Sequence, residues 1–143
     1  MGLRDAYNYL RPVSEGGFGR RGANKVVVLL TDGLPNAHVS SAGDIANFIG
    51  NNPDEPDFYG GGHDWLDAAL MQAKIMQADE WYVYPIGIGF GTDYDFMDRV
   101  ARIGSTASNG QGMRGTGNPA LYEETLEDMF LEIITNAKVN LVK

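Results

Sequence analysis

Two short stretches of the chain are almost continuously apolar. Residues 25–31 are Lys-Val-Val-Val-Leu-Leu-Thr, and residues 81–89 are Trp-Tyr-Val-Tyr-Pro-Ile-Gly-Ile-Gly. The first has no polar residue between Val26 and Leu30, which is typical of a strand covered on both faces by helices in a parallel sheet. The second predicts another strand, so two strands form the expected centre of the fold.

Four other stretches place apolar residues at helical spacing, and each predicts a helix with one buried face. We expect Asp64 to cap the second helix, Thr92 or Asp93 to begin the third, and Gly104 to end it. The predicted faces are Leu3, Ala6, Tyr7 and Leu10; Leu66, Ala69, Leu70, Ala73 and Met76; Phe96, Met97, Val100 and Ile103; and Leu126, Met129, Phe130, Ile133, Ile134 and Ala137.

The remaining segments are polar or rich in glycine. A long loop from Gly33 to Gly62 contains one predicted helical turn around Ile45, Phe48 and Ile49, and residues 105–118 form a second glycine-rich loop. A short strand is expected at 120–122, and a last extended segment at 139–142. The alternation of helices and strands predicts an α/β fold, a parallel sheet flanked by helices.

The strand at 26–30 is followed by Thr31, Asp32 and Gly33. Because Gly33 and the following Leu-Pro pair do not continue the strand, Asp32 is expected at its carboxyl end. Open α/β sheets hold their ligands at this end of the strands. Asp32 is therefore the first candidate site residue, and a carboxylate that caps the following turn is the alternative.

Composition narrows the possible functions. The 143 residues fit one domain, with 43% hydrophobic and 21% charged residues, as in globular proteins. A net charge of −8 argues against a nucleic-acid groove and is compatible with cation binding. The absence of cysteine excludes thiolate chemistry, and no stretch is apolar enough for a membrane span.

The two strand motifs together carry a family resemblance. Residues 26–36 (Val-Val-Val-Leu-Leu-Thr-Asp-Gly-Leu-Pro-Asn), a helix, and residues 83–89 (Val-Tyr-Pro-Ile-Gly-Ile-Gly) with Asp93 opening the next helix resemble the second half of a von Willebrand factor A domain. Residues 118–122 and the final helix resemble the A-type domains of bacterial Tad-pilus-associated proteins. The resemblance implies a doubly wound, Rossmann-like sheet over residues 1–143, apart from the insertion at 33–62.

Members of this family bind a divalent ion, usually Mg²⁺, at a metal-ion-dependent adhesion site built from three loops. The resemblance assigns the third loop to Asp32, whereas the Asp-x-Ser-x-Ser of the first loop does not occur in the chain. The chain is thus expected to correspond to the carboxy-terminal half of such a domain. One carboxylate does not satisfy the octahedral demand of Mg²⁺, so Asp32 alone should bind the ion weakly.

In the strand order typical of doubly wound sheets, 3-2-1-4-5-6, this half would retain strands four to six. Residues Val26 to Leu30 would then form an exposed apolar edge that recruits another strand. We therefore expect self-association through this edge.

By resemblance, the leading functional hypothesis is a non-enzymatic adhesion or protein-binding module of a bacterial surface or pilus-assembly protein, located outside the cytoplasm. In the intact domain, Asp32 would help hold a Mg²⁺ whose open position accepts a carboxylate of a protein ligand. The alternatives are an intracellular module of a chelatase-like assembly machine and, third, a hydrolase that uses His63 and Asp64 beside Asp32.

The glycines after the second strand and the two histidines give weaker evidence for a function. Gly87, Gly89 and Gly91 lie between a strand and a helix, but their spacing is not that of a dinucleotide-binding loop. His38 and His63 lie in the long loop without a partner at metal-binding spacing, so solvated side chains are the favoured interpretation.

Overall fold

The structure is a computed structural model that describes residues 2–106, 110–115 and 118–140. Helices and strands alternate along the chain, as the hydrophobic pattern predicts. The elements are α1 (Gly2–Leu10), a 3-10 turn (Val13–Glu15), β1 (Val26–Thr31), α2 (Ala42–Gly50), α3 (Asp64–Ala78), β2 (Tyr82–Gly87), α4 (Tyr94–Ile103), β3 (Met113–Arg114), a second 3-10 turn (Pro119–Leu121) and α5 (Tyr122–Asn140).

The described strands form one parallel sheet in the order β1-β2-β3. Val27 lies opposite Val83 in the register of β1 and β2, and Met113 lies opposite Ile86 at the shorter β2-β3 pairing. The predicted α/β class, a partial doubly wound sheet with flanking helices, is therefore confirmed. This order places β1 at one edge of the sheet among the strands that the structure describes, which is the position that the family resemblance implies.

Helices α1, α3 and α4 cover one face of the sheet. The faces predicted for α3 and α4 are buried there, since they contribute most of the main core. That core comprises Leu3, Val27, Leu66, Leu70, Ala73, Met76, Trp81, Val83, Phe96, Met97, Val100 and Ile103.

Helix α5 covers the other face. Its Ile133 is buried against Tyr84 and Ile86 of β2, and Leu126 and Met129 pack around them. On the same helix Phe130 and Ile134 are exposed, although they belong to the predicted apolar face. The described part of the molecule therefore leaves one side of this helix uncovered.

Strand β1 is less buried than the apolar sequence predicts. Only Val27 is buried, the other residues are partly exposed, and Leu30 is 46% exposed. Both faces of β1 are nevertheless covered as predicted, since Val27 and Leu29 pack in the main core and Val26 and Val28 pack against the cluster around Ile133. The burial is incomplete because β1 has β2 on one side and no described strand on the other.

The ends of α4 follow the sequence signals. The Asp93 side chain accepts a hydrogen bond from the Phe96 N–H at 3.0 Å, which caps the helix, and Gly104 follows its last residue. Helix α3 differs, because it begins at Asp64 with His63 in the cap position and has no side-chain cap. The prediction that Asp64 caps this helix is therefore wrong.

The turn predicted around Ile45 is a full helix. Helix α2 has nine residues, and Ser41 caps it by accepting a hydrogen bond from the Asp44 N–H at 3.0 Å. Of its apolar residues, Ile45 is fully buried. The serine cap supplies the start signal that the hydrophobic pattern of this segment lacks.

The third strand lies earlier in the chain than predicted. It is formed by Met113 and Arg114, inside the segment that the sequence assigns to a loop. The strand predicted at 120–122 is wrong, because Asn118 starts a 3-10 turn there. Its side-chain oxygen accepts from the Ala120 N–H at 3.1 Å, and its carbonyl accepts from the Leu121 N–H at 3.0 Å.

At the end of the chain, residues 139 and 140 belong to α5, so the extended segment predicted from 139 is wrong at its start. Its remaining positions, 141 and 142, lie outside the described residues.

No helix in the described ranges combines the length and the apolar character that crossing a bilayer requires.

Candidate functional site

Asp32 lies directly after β1, at the carboxyl end of the strand, as the sequence predicts. The turn behind it is held by Thr31, whose hydroxyl donates to the Gly33 carbonyl at 2.8 Å and accepts from the Gly33 N–H at 3.2 Å. Thr31 thus performs the turn-stabilising role that the alternative interpretation gives to Asp32.

The carboxylate of Asp32 is exposed and makes no hydrogen bond or ion pair with any residue that the structure describes. An aspartate that caps a turn would accept a backbone N–H nearby. The capping interpretation of Asp32 therefore does not hold, and both of its oxygens are available to a ligand.

The loop after β2 lies against the backbone of Asp32. A Cβ atom added to Gly91 would be 2.8 Å from the Asp32 carbonyl oxygen, so the glycine is required by this close approach. The neighbouring Phe90 is 96% exposed. A charged residue and a fully exposed aromatic residue are thus presented together at the carboxyl edge of the sheet.

The glycines that suggested a nucleotide loop have structural reasons. A Cβ on Gly87 would be 2.4 Å from the Thr92 Cγ2 atom, and Gly89 has a positive φ of 82°. Thr92 donates its hydroxyl to the Ile88 carbonyl at 2.9 Å, which closes the loop on itself. Close backbone packing and a positive φ therefore explain why glycine occupies these positions.

The end of the long insertion is anchored by a buried carboxylate. Asp67 of α3 is 1% exposed and accepts hydrogen bonds from the Tyr59 N–H at 2.7 Å and the Gly60 N–H at 2.8 Å. A buried carboxylate is stable when several N–H groups point at it. Asp67 therefore fixes the segment that leads into α3.

A second buried carboxylate ties the same segment to α4. Asp57 is 7% exposed, and its Oδ1 atom accepts from the Arg102 Nε at 2.8 Å. Arg99 donates to the Asp57 carbonyl at 2.8 Å and stacks over the Tyr59 ring at 4.0 Å. Hydrogen bonding to Asp57 raises the pKa of Arg102 above its ordinary value.

Tyr59 extends this network to Asp95. Its hydroxyl donates to the Asp95 Oδ2 atom at 2.8 Å. The same hydrogen bond lowers the pKa of Asp95, and Arg99 adds to the effect. Burial, followed by the bond to Asp95, raises the pKa of Tyr59. Both pKa shifts favour a neutral Tyr59 beside an ionised Asp95 at neutral pH, and this pair stabilises the local structure.

The histidines are not arranged as a base with an orienting acid. The Nδ1 atom of His63 donates to the Gly60 carbonyl at 2.9 Å, and no hydrogen bond joins it to Asp64 among the described residues. His38 donates from Nδ1 to the Ser40 carbonyl at 2.7 Å and lines a pocket beside β1.

Asp32 fits Mg²⁺ by its chemistry but does not make a site by itself. Its oxygens are the hard ligands that Mg²⁺ prefers. Within the ranges that the structure describes, no three histidine, aspartate or glutamate side chains come together as a group that could hold a metal ion. The prediction that Asp32 alone binds Mg²⁺ weakly stays a prediction.

Sequence reasoning missed Asp57, Asp67 and Gln72. Asp67 had a signal, because it lies between Leu66 and Leu70 on the buried side of α3, where an unpaired charge would be costly. Asp57 had none, since its partner is 45 residues away. Gln72 lines the pocket that contains His38, and the polarity pattern alone does not reveal it.

The chain was compared with protein-family models, curated proteins and solved structures, and none of them matches it. The resemblance to von Willebrand A domains therefore depends on the motifs around Asp32 and β2 and on the parallel α/β sheet that carries them.

Proposed function

We propose that this chain is a non-enzymatic protein-binding module of the von Willebrand A type, from a bacterial surface or pilus-assembly protein. One observation carries the proposal: the Asp32 carboxylate lies exposed at the carboxyl end of a parallel strand, without a partner among the described residues, while Thr31 stabilises the turn. A carboxylate in this position is available to a cation or a partner. An extracytoplasmic location follows from the same resemblance.

The cation accounts for how an acidic protein binds an acidic ligand. The chain has a net charge of −8, so a carboxylate of a partner would be repelled by its surface. A Mg²⁺ ion held partly by Asp32 supplies local positive charge and a position for the partner's carboxylate. Asp32 would be one ligand of this ion. The remaining oxygen ligands are not gathered around it as a cluster of acidic or histidine side chains among the residues that the structure describes.

Apolar residues around Asp32 favour a protein as the partner. Phe90 lies in the loop that touches the Asp32 backbone and is almost fully exposed, and Leu34 is also exposed. Exposed aromatic residues contribute disproportionately to protein interfaces. A protein surface with one acidic residue and an apolar surround would complement this edge.

Paramagnetic Mn²⁺ tests the role of Asp32 directly, because it binds oxygen ligands as Mg²⁺ does and broadens nearby resonances. We expect titration into the ¹⁵N-labelled chain to broaden first the amides of residues 31–33 and 89–91. Asp32→Asn should remove this broadening. Asp128→Asn, which neutralises an exposed aspartate of α5, is the matched control and should leave it in place.

Broadening spread over all acidic surface residues, or unchanged in Asp32→Asn, would contradict the proposed role. Competition by Mg²⁺ at millimolar concentration should reverse the local broadening, since both ions would share the site.

The hydrolase alternative makes a different prediction. It requires His63 as a base through its Nε2 atom, since Nδ1 donates to a backbone carbonyl. His63→Ala should leave a binding module intact and would abolish a hydrolase. The chelatase-like alternative shares the Asp32 site and differs in cellular location, which an upstream export signal in the parent gene would decide.

We also propose that the chain self-associates through β1. The carbonyls of Lys25 and Thr31 accept hydrogen bonds from β2, and backbone groups alternate along a strand. The N–H and C=O groups of Val26, Val28 and Leu30 therefore point away from β2. An apolar edge with free backbone groups is a template for another strand.

A further inference from the structure

The positive charge of the chain is concentrated in its first helix and the loop that follows. Residues 2–25 carry five lysine or arginine side chains and two carboxylates, a net charge of +3, whereas residues 26–143 carry six and seventeen, a net charge of −11. A charge asymmetry of this size along a chain indicates a segment that binds a partner of opposite charge.

Ion pairing separates the same two groups of cations. After residue 25, every lysine or arginine whose side chain the structure describes pairs with a carboxylate: Lys74, Arg99, Arg102 and Arg114. None of the five cations in residues 2–25 forms an ion pair with a described residue, and Arg20 and Arg21 are exposed. Carboxylates of the described chain therefore do not neutralise this segment, and its charge is available to a partner.

Two exposed aromatic rings belong to the same segment. Tyr9 at the end of α1 is 62% exposed and Phe18 of the following loop is 75% exposed, and their ring centroids are 5.0 Å apart. Val13, in the 3-10 turn between them in the chain, is also exposed. Apolar side chains gathered on a protein surface in this way mark a site of interaction with another molecule.

The loop backbone holds Phe18 in its exposed position. The Phe18 N–H donates to the Tyr9 carbonyl at 2.8 Å. A Cβ atom on Gly17 or Gly19 would overlap the backbone of residues 10 and 11, so the loop needs glycine on both sides of Phe18. The aromatic pair is thus positioned before a partner binds, which lowers the entropic cost of binding.

We propose that Tyr9, Val13, Phe18, Arg20 and Arg21 form a docking surface, the basic aromatic patch, for an acidic segment of a partner protein. Apolar side chains of the segment pack on the two aromatic rings, and its carboxylates meet the two arginines. The basic aromatic patch shares no residue with the candidate metal site, so it is a second interaction surface.

The charge of the rest of the chain favours a protein segment over an anionic membrane as the partner. A membrane surface extends beneath the whole molecule, and it would repel the net charge of −11 on residues 26–143. A short acidic segment contacts only the basic aromatic patch. Salt screens its repulsion from exposed carboxylates that lie farther away than about 10 Å.

Two short peptides test the chemistry of the partner. The acidic probe has the sequence Glu-Glu-Leu-Phe-Glu-Glu with both ends capped, and in the basic probe lysine replaces each glutamate. Titrated at millimolar concentration into the ¹⁵N-labelled chain without divalent ions, the acidic probe should shift the amides of residues 9–21. The basic probe should leave them unchanged.

Substitutions separate the aromatic and the charged parts of the basic aromatic patch. Phe18→Ala removes one ring and should weaken binding of the acidic probe at least about fivefold, as expected for a central aromatic residue of an interface. Arg20→Gln combined with Arg21→Gln should weaken it about threefold to tenfold at low salt, because each exposed ion pair contributes little. Phe90→Ala, at an exposed phenylalanine outside the basic aromatic patch, is the matched control and should have no effect.

Glu15→Gln should change the affinity in the opposite direction. Glu15 lies in the 3-10 turn, is exposed and is the carboxylate closest in the chain to Phe18. Its neutralisation removes a repulsion from the acidic probe, so binding should strengthen by about twofold. A gain of affinity is not produced by a variant that merely fails to fold.

Three results would overturn the proposal: no shifts at residues 9–21 with the acidic probe, equal shifts with the basic probe, or binding of the wild-type chain to vesicles of phosphatidylserine and phosphatidylcholine that Phe18→Ala abolishes. The last result would assign the basic aromatic patch to a membrane surface. Asp32→Asn should leave binding of the acidic probe unchanged, so failure here and failure of the proposed metal role are distinguishable.

Discussion

Single buried carboxylates organise the segment that leads into α3. Asp67 receives two backbone N–H groups from residues 59 and 60, and Asp57 receives Arg102. The sequence shows Asp67 as an anomaly on an apolar helix face but does not show its partners, because those belong to a loop without periodicity. The sequence pattern therefore does not identify the partners of single residues when those partners lie far away in the chain.

The Asp67 interaction can be measured. In Asp67→Asn, the new amide group keeps one acceptor oxygen and places an N–H₂ against a backbone donor. We expect the free energy of unfolding to fall by about 1.5 to 3 kcal/mol, the range for hydrogen bonds to charged groups. Urea denaturation at neutral pH checks this value.

Asp64→Asn is the matched control, since Asp64 lies on the same helix without a hydrogen-bond partner among the described residues. Its effect should stay below about 1 kcal/mol, which is the usual limit for a helix-dipole contribution. Equal losses for the two variants would contradict the anchoring role of Asp67.

Tyr7 gives a prediction for alkaline pH. Its hydroxyl donates to the Asp79 Oδ2 atom at 2.6 Å, and this bond, with burial, raises the pKa of Tyr7 from 10.0 to about 12. A raised pKa in the folded state stabilises the fold fully below the unfolded pKa, and the contribution is lost as pH rises through the folded pKa.

Tyr7→Phe should therefore be less stable than the wild type below pH 10, and the gap should close between pH 10 and about 12. Urea denaturation at pH 8 and pH 11 measures it. Tyr9→Phe, at an exposed tyrosine on the same helix, should show no such gap. A stability difference between Tyr7→Phe and the wild type that widens above pH 10 would contradict the raised pKa of Tyr7.

Elements with strong periodicity were predictable, and short or edge elements were not. The buried faces of α3 and α4 follow from i, i+3 and i+4 spacing, and the Asp93 cap and Gly104 mark the limits of α4. Strand β3 has two residues, too few for a pattern, and its pairing with β2 depends on tertiary contact. Helix α2 required its serine cap to be recognised.

Gly104 tests how tightly α4 packs on β2. A Cβ at this position would be 2.7 Å from the Val83 carbonyl oxygen and 2.9 Å from the Val100 carbonyl oxygen, both of which belong to the backbone. Gly104→Ala should destabilise the fold by about 1 to 3 kcal/mol, since overpacking forces the backbone to move. Thermal or urea unfolding measures the loss.

The control is Gly50→Ala at the end of α2, where nothing lies within 4 Å of the added Cβ. Alanine favours helix over glycine by about 1 kcal/mol, so this variant should be neutral or more stable. A Gly104→Ala protein as stable as the wild type would show that α4 and β2 can separate without cost.

At the scale of the whole molecule, two apolar surfaces are left uncovered by the described residues: the outer edge of β1 and one side of α5. Strand β1 has no described neighbour on its outer side, and exposed apolar residues lie on β1 and along α5, among them Leu30, Phe130 and Ile134. The apolar sequence of β1 predicts the edge hazard, and the family resemblance predicts its place at the edge. The exposure along α5 was not predictable, because helical periodicity does not show how much of a face is covered.

Leu30→Lys should abolish association through β1. Leu30 is 46% exposed, so a lysine can extend into solvent, and a charge on an edge strand opposes pairing with a second copy. Leu131→Lys, at an exposed leucine of α5, is the matched control and should leave the association in place. Size-exclusion chromatography over a range of concentrations compares the two variants.

The molar mass in solution, measured by light scattering with and without millimolar Mg²⁺, tests the central claim most directly. The account predicts a dimer or larger species that is indifferent to Mg²⁺, because the β1 edge is open and Asp32 alone holds the ion weakly. A monomer whose thermal stability rises with Mg²⁺ would contradict it, since Asp32 would then belong to a complete metal site and β1 would need no partner.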